Sequence, residues 1–234
     1  GTDVSTNTLK IDGDKAATVN VKGAGNLTLT FTAESKALTL VDGSTATGKL
    51  NITSVKNDGE NLVIKGGLGD DTLTSAGQND KLFGGDGKDT LKAAGTIALV
   101  ELSGGAGIDS FDVSAANSKT AASVVRITDF AVGETIKFAA NPNASFLSTK
   151  FELTGGAGLS DYVGQAIAKA YEYAGNNAFG IAWFQQGGNT YIVQDKGTTA
   201  GAFDNQDVVV ELTGLVDLSA SSFNDNTAGT LLFI

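Results

Sequence analysis

The sequence predicts a mainly β protein: a parallel β-roll, or β-solenoid, followed by a β-rich cap that contains one helix. Three observations predict it. Residues 8 to 65 alternate apolar and polar side chains in short stretches whose centres recur every 8 to 12 residues, with turn signals between them. A nine-residue glycine pattern then repeats in phase between residues 66 and 112. Beyond it, one stretch with apolar residues at helical spacing stands among further alternating stretches.

The alternating stretches are Leu9 and Ile11, Val19 and Val21, Leu27 with Leu29 and Phe31, Leu38 and Leu40, Leu50 and Ile52, and Leu62 and Ile64. Turns are expected at Asp12-Gly13-Asp14, Lys22-Gly23-Ala24-Gly25, Asp42-Gly43 and Asn57-Asp58-Gly59. Such spacing fits a sandwich or a solenoid, and direct continuity into the nine-residue pattern favours the solenoid. Asp12-Gly13-Asp14 resembles the start of an EF-hand loop, but no glutamate stands where the twelfth ligand is required, so it reads as a turn. The glycosylation sequons at Asn26, Asn51 and Asn143 are discounted, two of them because they fall inside expected strands.

Gly66 to Thr74, Gly84 to Lys92 and Gly104 to Asp112 all fit G-G-x-G-x-D-x-U-x, where U is a large apolar residue. Three glycines in four positions let the chain turn sharply and aim its carbonyls at one point. The aspartate at the sixth position, Asp71, Asp89 or Asp109, adds a carboxylate where the turn meets the strand. Oxygen donors of this mixed kind suit calcium. The eighth residue, Leu73, Leu91 or Phe111, is the strand's inward side chain. The candidate metal residues are therefore Gly67, Gly69 and Asp71, Gly85, Gly87 and Asp89, and Gly105, Gly107 and Asp109.

Spacing sets the geometry. The first two copies start 18 residues apart, and the intervening nine keep Asp80 and Leu82 in phase without the leading glycines. One coil is then two nine-residue halves, with strong turns at 66, 84 and 104 on one edge and degenerate turns at 57, 75 and 93 on the other. The third copy follows after 20 residues, which places two extra residues on the weak edge. Two calcium sites are expected on the strong edge, one between each pair of stacked turns. The weak edge is expected to bind poorly or not at all.

From Gly66 to Asp112 seven aspartates and one glutamate face three lysines, so stacked turns would repel each other without a cation. The whole chain of 234 residues carries a net charge of −10, which argues against nucleic acid and for cations as partners. Its 31 glycines with a single proline, Pro142, favour turn-dense β structure over collagen, whose period is missing. No apolar run is long enough to span a membrane as a helix. Without cysteine or histidine the chain has no disulfide framework, no ordinary zinc site and no histidine-dependent triad. No G-x-S-x-G elbow is present either, so the chain is expected to be no enzyme.

Val163, Ala166, Ile167, Ala170, Tyr171 and Ala174 mark the helix near 160–174, with Ser160 as its N-cap and Gly175 as its stop. Gly155-Gly156-Ala157-Gly158 imitates a repeat, but Ser160 holds the sixth position, so no calcium turn is assigned there. Strands follow at Gly180–Gln185, Thr190–Asp195 and Asp207–Leu212, the first two joined by a hairpin at Gln186-Gly187-Gly188-Asn189.

The three repeats are similar to the calcium-binding β-roll repeat of RTX proteins. After them, the segment Val124 to Phe138 reads as strand, turn, strand, and its Ile127-Thr128-Asp129-Phe130 resembles the segment that follows the repeats in type I secreted RTX proteins. Glu134 stands where that segment usually carries aspartate. Trp183 to Val193 and Val209 to Leu218 resemble the C-terminal part of calcium-dependent bacterial surface-layer proteins of this class.

The resemblance covers residues 66 to 234 and implies three regions: a strand ladder over 1–65, a calcium-binding roll over 66–113, and a cap over 114–234 that includes a type I export signal. It implies a structural protein of the cell surface, exported unfolded, folded by external calcium and self-associating into a lattice. No signal peptide is expected at Gly1 to Val4. Leu231-Leu232-Phe233-Ile234 reads either as the last strand or as the hydrophobic end of the export signal. The same features would suit the tail of an RTX protease or lipase, or the end of a large adhesin.

Overall fold

The structure is a computed structural model, and it describes residues 6–11, 17–31, 37–54, 61–76, 78–141, 144–156, 158–197, 199, 201–224 and 229–234. The expected turns at Asp12-Gly13-Asp14 and Asn57-Asp58-Gly59, the sequon at Asn143, and Ala157 lie outside the described residues.

In chain order the first strands are β1 (Thr6–Ile11), β2 (Thr18–Gly23), β3 (Asn26–Phe31), β4 (Leu40–Ala46), β5 (Leu50–Thr53) and β6 (Val63–Lys65). Across the repeats come β7 (Thr72–Ser75), β8 (Lys81–Asp86), β9 (Thr90–Ile97), β10 (Leu99–Ala106) and β11 (Ser110–Ser118). The rest of the chain supplies β12 (Val124–Ile127), β13 (Thr135–Lys137), β14 (Ser145–Phe146) and the helix α1 (Leu159–Tyr173). It ends with β15 (Gly180–Gln186), β16 (Asn189–Gln194), β17 (Val208–Leu212), β18 (Ser222–Asn224) and β19 (Thr230–Leu232).

Through β13, odd- and even-numbered strands separate into two sheets, as a roll of two half-coils requires. One sheet runs β1-β3-β5-β7-β9-β11-β13 and the other β12-β10-β8-β6-β4-β2, every neighbouring pair parallel. The register keeps the eighth residue of each repeat in one column: Ile52 beside Leu73, Leu73 beside Leu91, Leu91 beside Phe111, and Phe111 beside Ile136. All five are fully buried, and they belong to one hydrophobic core that continues from Val21 to Leu231. Buried apolar columns of this kind supply the main driving force, about 1.5–3 kcal/mol for each such side chain.

The cap closes both sheets. β17 adds to β12 in parallel, and β16 and β15 then follow antiparallel; β19 adds antiparallel to β13, and β18 to β19. Gly187 and Gly188 form the two-residue hairpin loop, both with positive φ, the conformation that hairpin turns favour. Helix α1 covers the outer face of β15 and β16 with Val163, Ala166, Ile167 and Ala170, in a second core with Phe184, Tyr191 and Val209. β19 is packed into the fold: Leu231 is buried, and just after the strand Phe233 stacks on Phe130 with ring centroids 5.4 Å apart.

Three local expectations need correction. Asp42-Gly43 lies inside β4, where the register against β2 slips by one residue, so the turn signal marks a bulge. A side chain on Gly43 would strike Leu50 and the Lys65 carbonyl, which explains the glycine by close packing. Ser160 is inside α1, whose N-cap is Gly158 without a side-chain bond, while Gly175 with φ 72° ends the helix as expected. Ala93 lies within β9, so the weak-edge turn of that coil comes at Ala98; Ser75 is the last residue of β7, and the turn follows it.

Candidate metal centre: the stacked glycine turns

The turns at 66–71, 84–89 and 104–109 join one sheet to the other along a single edge. Their second glycines nearly touch: a Cβ on Gly85 would lie 2.2 Å from the Gly67 carbonyl oxygen, and one on Gly105 2.2 Å from that of Gly85. Gly85 and Gly105 also hold φ of 111° and 97°, which other residues rarely adopt. The fourth glycines stack likewise, with Gly87 against the Gly69 carbonyl and Gly107 against that of Gly87. Among the described residues no amide donates to the carbonyls of Gly69 or Gly87. Those oxygens remain open for another partner.

Asp71, Asp89 and Asp109 follow in register, since Thr72, Thr90 and Ser110 are ladder partners. Each uses Oδ1 to accept from the amide one coil earlier: Leu50 to Asp71 at 2.7 Å, Asp71 to Asp89 at 2.7 Å, and Asp89 to Asp109 at 2.8 Å. The second oxygens differ. Asp71 Oδ2 accepts from the Gly67 amide at 2.7 Å, whereas Asp89 Oδ2 and Asp109 Oδ2 are buried without a donor, and Asp109 meets the Glu134 carboxyl, which can donate to it only when protonated. Asp89 Oδ2 shares its space with the Gly104 carbonyl, both close to the Gly84 Cα, and Asp71 Oδ2 meets the Gly84 carbonyl against Gly66 in the same way.

A carboxylate left so is costly. All three aspartates are 1% exposed. Burial raises each above the ordinary carboxylate range, and the middle one, repelled by Asp71 and Asp109 on either side, is pushed up to about 7. At the usual strand spacing of about 4.8 Å, two unit charges repel by ~3–4 kcal/mol with an effective dielectric of about 20. Of the lysines among the described residues, Lys49 lowers Asp71 by its charge, but none acts in this way on Asp89, Asp109 or Glu134; Lys81 pairs with Glu101 and Lys137 with Asp112. The donor set of orphaned carboxylate oxygens and open carbonyls fits a hard divalent cation of calcium's kind. It is spread at one carboxylate per turn; among the described residues no three acidic side chains converge on a point.

The row does not end at the third repeat. Thr135 pairs with Ser110, which sets Glu134 beside Asp109. Glu134 is 2% exposed and pushed up to about 7 by burial, with Asp109 and Asp129 adding repulsion. Asp129 was not predicted as a site residue. Its carboxylate accepts from the Gly104 amide at 3.0 Å, the Gly105 amide at 2.9 Å and the Ser103 hydroxyl at 2.7 Å, so it caps the third turn from the next coil. A signal was present: Asp129 and Glu134 are five residues apart, like Gly104 and Asp109, so 129–134 is a fourth turn without its leading glycines.

The opposite edge shows what an aspartate looks like when the protein satisfies it alone. Asp80 is 2% exposed, accepts from the Leu62 amide at 3.2 Å through Oδ1, and takes the hydroxyls of Ser75 at 2.7 Å and Ser54 at 3.3 Å on Oδ2. Its column neighbours are Leu62 and Val100, so no second carboxylate faces it along the ladder. The false repeat at Gly155-Gly156 is likewise filled, with the Tyr162 ring packed over Gly156 and its hydroxyl donating to the Gly156 carbonyl at 3.2 Å.

Residues 63–91 match the family model of the RTX calcium-binding nonapeptide repeat (4 copies). The match covers the first two strong turns and the half-coil between them, while the third turn lies beyond it and rests on its own geometry. No curated protein matches the chain. The chain carries RTX calcium-binding repeats in a parallel β-roll, and calcium is the ion that such repeats bind.

Proposed function

We propose that this chain is a calcium-folded structural module of an extracellular bacterial surface layer, with no catalytic site of its own. Calcium ions are held between the stacked turns, one by Asp71, Asp89 and the glycine carbonyls of 66–71 and 84–89, the next by Asp89, Asp109 and those of 84–89 and 104–109. When bound they cancel the charge of the carboxylate row. The observation that carries this reading is the pair of orphaned oxygens, Asp89 Oδ2 and Asp109 Oδ2, buried on the edge where the repeats stack.

Extracellular calcium modules bind at about 10⁻⁴ to 10⁻³ M. At ~1 mM calcium and a ~0.1 mM site, mass action adds about 1.4 kcal/mol per site, and almost nothing at submicromolar cytosolic calcium. A chain with this dependence stays unfolded for export by a type I system and folds outside. The surface-layer reading is supported by the resemblance of Trp183 to Val193 and Val209 to Leu218 to such proteins and by a chain free of histidine and cysteine. The protease or lipase tail and the adhesin end share the repeats and the 124–138 segment.

Ordered self-association separates these readings, because a lattice requires complementary heterologous patches that propagate. Light scattering of the native full-length protein across a calcium titration, followed by electron microscopy, should show two-dimensional assemblies at millimolar calcium. Monodisperse monomers under those conditions would favour the tail or adhesin reading.

A further inference from the structure

A second place in the molecule has the same unsatisfied chemistry, far from the glycine turns in sequence. The loop from β16 to β17 carries Asp195, Asp204 and Asp207. Asp207 is fully buried and organises the loop: its Oδ1 accepts from the amides of Lys196 at 2.8 Å and Gly197 at 3.0 Å, and its Oδ2 from that of Asp204 at 2.8 Å. Asp204 bridges the loop's tip, accepting from Thr199 at 3.2 Å and Gln206 at 2.8 Å, and it presses on Gly197 so closely that a Cβ there would lie 2.0 Å from Asp204 Oδ2.

Asp195 is the anomaly. It is 1% exposed, and both its carboxylate oxygens are buried without a hydrogen-bond partner. The carboxylate is turned into the loop, where the amides of Gly197 and Gly201 approach it without closing a hydrogen bond of good geometry and Asp207 and Asp204 repel it. Among the described residues, the nearby cation Lys196 acts on Asp207 by its charge but gives its Nζ hydrogen bonds to the Ala116 carbonyl and, at 3.0 Å, to Asn117 Oδ1.

We propose that the loop 195–207 binds one divalent cation of calcium's type, with both oxygens of Asp195 as its main ligands and Asp204 and Asp207 completing the negative cradle. The three carboxylates do not close on a common point. Carbonyl and water oxygens therefore make up the remainder of the six to eight that calcium takes. Asp207 Oδ2, which accepts one amide, has a second lone pair for the ion. The cradle also has a mechanical consequence. The same loop is tied to the end of β11, through the Ser118 amide to the Asp207 carbonyl at 2.7 Å and the Val209 amide to Ser118 Oγ at 3.0 Å. An ion there locks the cap to the roll, and it does so whether or not the surface-layer reading holds.

The test is calcium stoichiometry and affinity of the full chain by isothermal titration with calcium alone. Asp195→Asn should bind one calcium fewer than wild type while the ions needed to fold the roll are retained. An unchanged count would overturn the proposal and leave Asp195 as a buried protonated acid. Should Asp195→Asn fail to fold, the half-buried Asp204→Asn serves instead: one site should weaken about tenfold, and an isotherm identical to wild type would overturn the proposal equally.

Discussion

The two edges of the roll place aspartates in the same kind of position and treat them in opposite ways. On the weak edge Asp80 receives two hydroxyls and an amide, and its neighbours along the column are Leu62 and Val100. On the strong edge the column reads Asp71, Asp89, Asp109, Glu134, and two of its oxygens have no donor. A buried carboxylate is stable where the protein supplies protons to hydrogen-bond it. Where like charges are stacked and the donors are withheld, the fold depends on something from outside. The difference shows that the strong edge is built incomplete.

The largest effect should follow from removing the middle of the column. Asp89→Ala should weaken both inter-turn sites, forfeiting about 3 kcal/mol of calcium-dependent stability, twice the ~1.4 kcal/mol of one site. Asp71→Ala should weaken one, since its turn borders only the first inter-turn site. Calcium titrations of the two variants compare them, and an equal or smaller loss for Asp89→Ala would break the stacking order.

On the weak edge the expected loss is smaller and of another kind. Asp80→Asn removes an acceptor from the Ser54 and Ser75 hydroxyls and should cost about 1–3 kcal/mol. Thermal melts should show the same loss with saturating calcium and at low calcium, with an unchanged calcium midpoint. A shifted midpoint would mean that the weak edge takes part in binding.

Protons offer a milder substitute for the ion. Asp89 and Glu134 titrate near 7 in the folded chain, above the ordinary carboxylate values near 4, so between about pH 4 and 7 the folded state binds more protons than the unfolded one. Without calcium, stability therefore rises as pH falls through that window; with calcium the sign reverses, because protons compete with the ion. The β signal in chelator, followed by circular dichroism from pH 7.5 down to 5, checks the first half and should be partly regained as pH falls; melts at pH 7.5 and 5 in millimolar calcium check the second.

Most of the roll was legible in the sequence because its period is local: the glycines, the sixth-position aspartates and the inward Leu73, Leu91 and Phe111 fix coil length and register together. The two residues added before the third repeat were legible as well, and they extend β9 and β10 around Gly95 and Ala98 on the weak edge. What escaped notice depends on partners far along the chain. Asp129 has no meaning until the next coil sets it against Gly104 and Gly105, 25 and 24 residues away. Gly43 looked like a turn because a bulge uses the same residues, and only Leu50 and Lys65 reveal the close packing. Asp195 looks like the end of a strand; its isolation follows from Lys196 reaching back to residues 116 and 117.

The central claim is that folding of residues 66–112 requires a cation because the protein's described residues supply no counter-charge to Asp89 and Asp109 in the buried carboxylate row. Far-ultraviolet circular dichroism of the chain in chelator at pH 7.5, followed by calcium back-titration, tests it most directly. The account predicts loss of the β signal in chelator and its return at about 10⁻⁴ to 10⁻³ M calcium. A full β spectrum in chelator that does not change when calcium is added would contradict it.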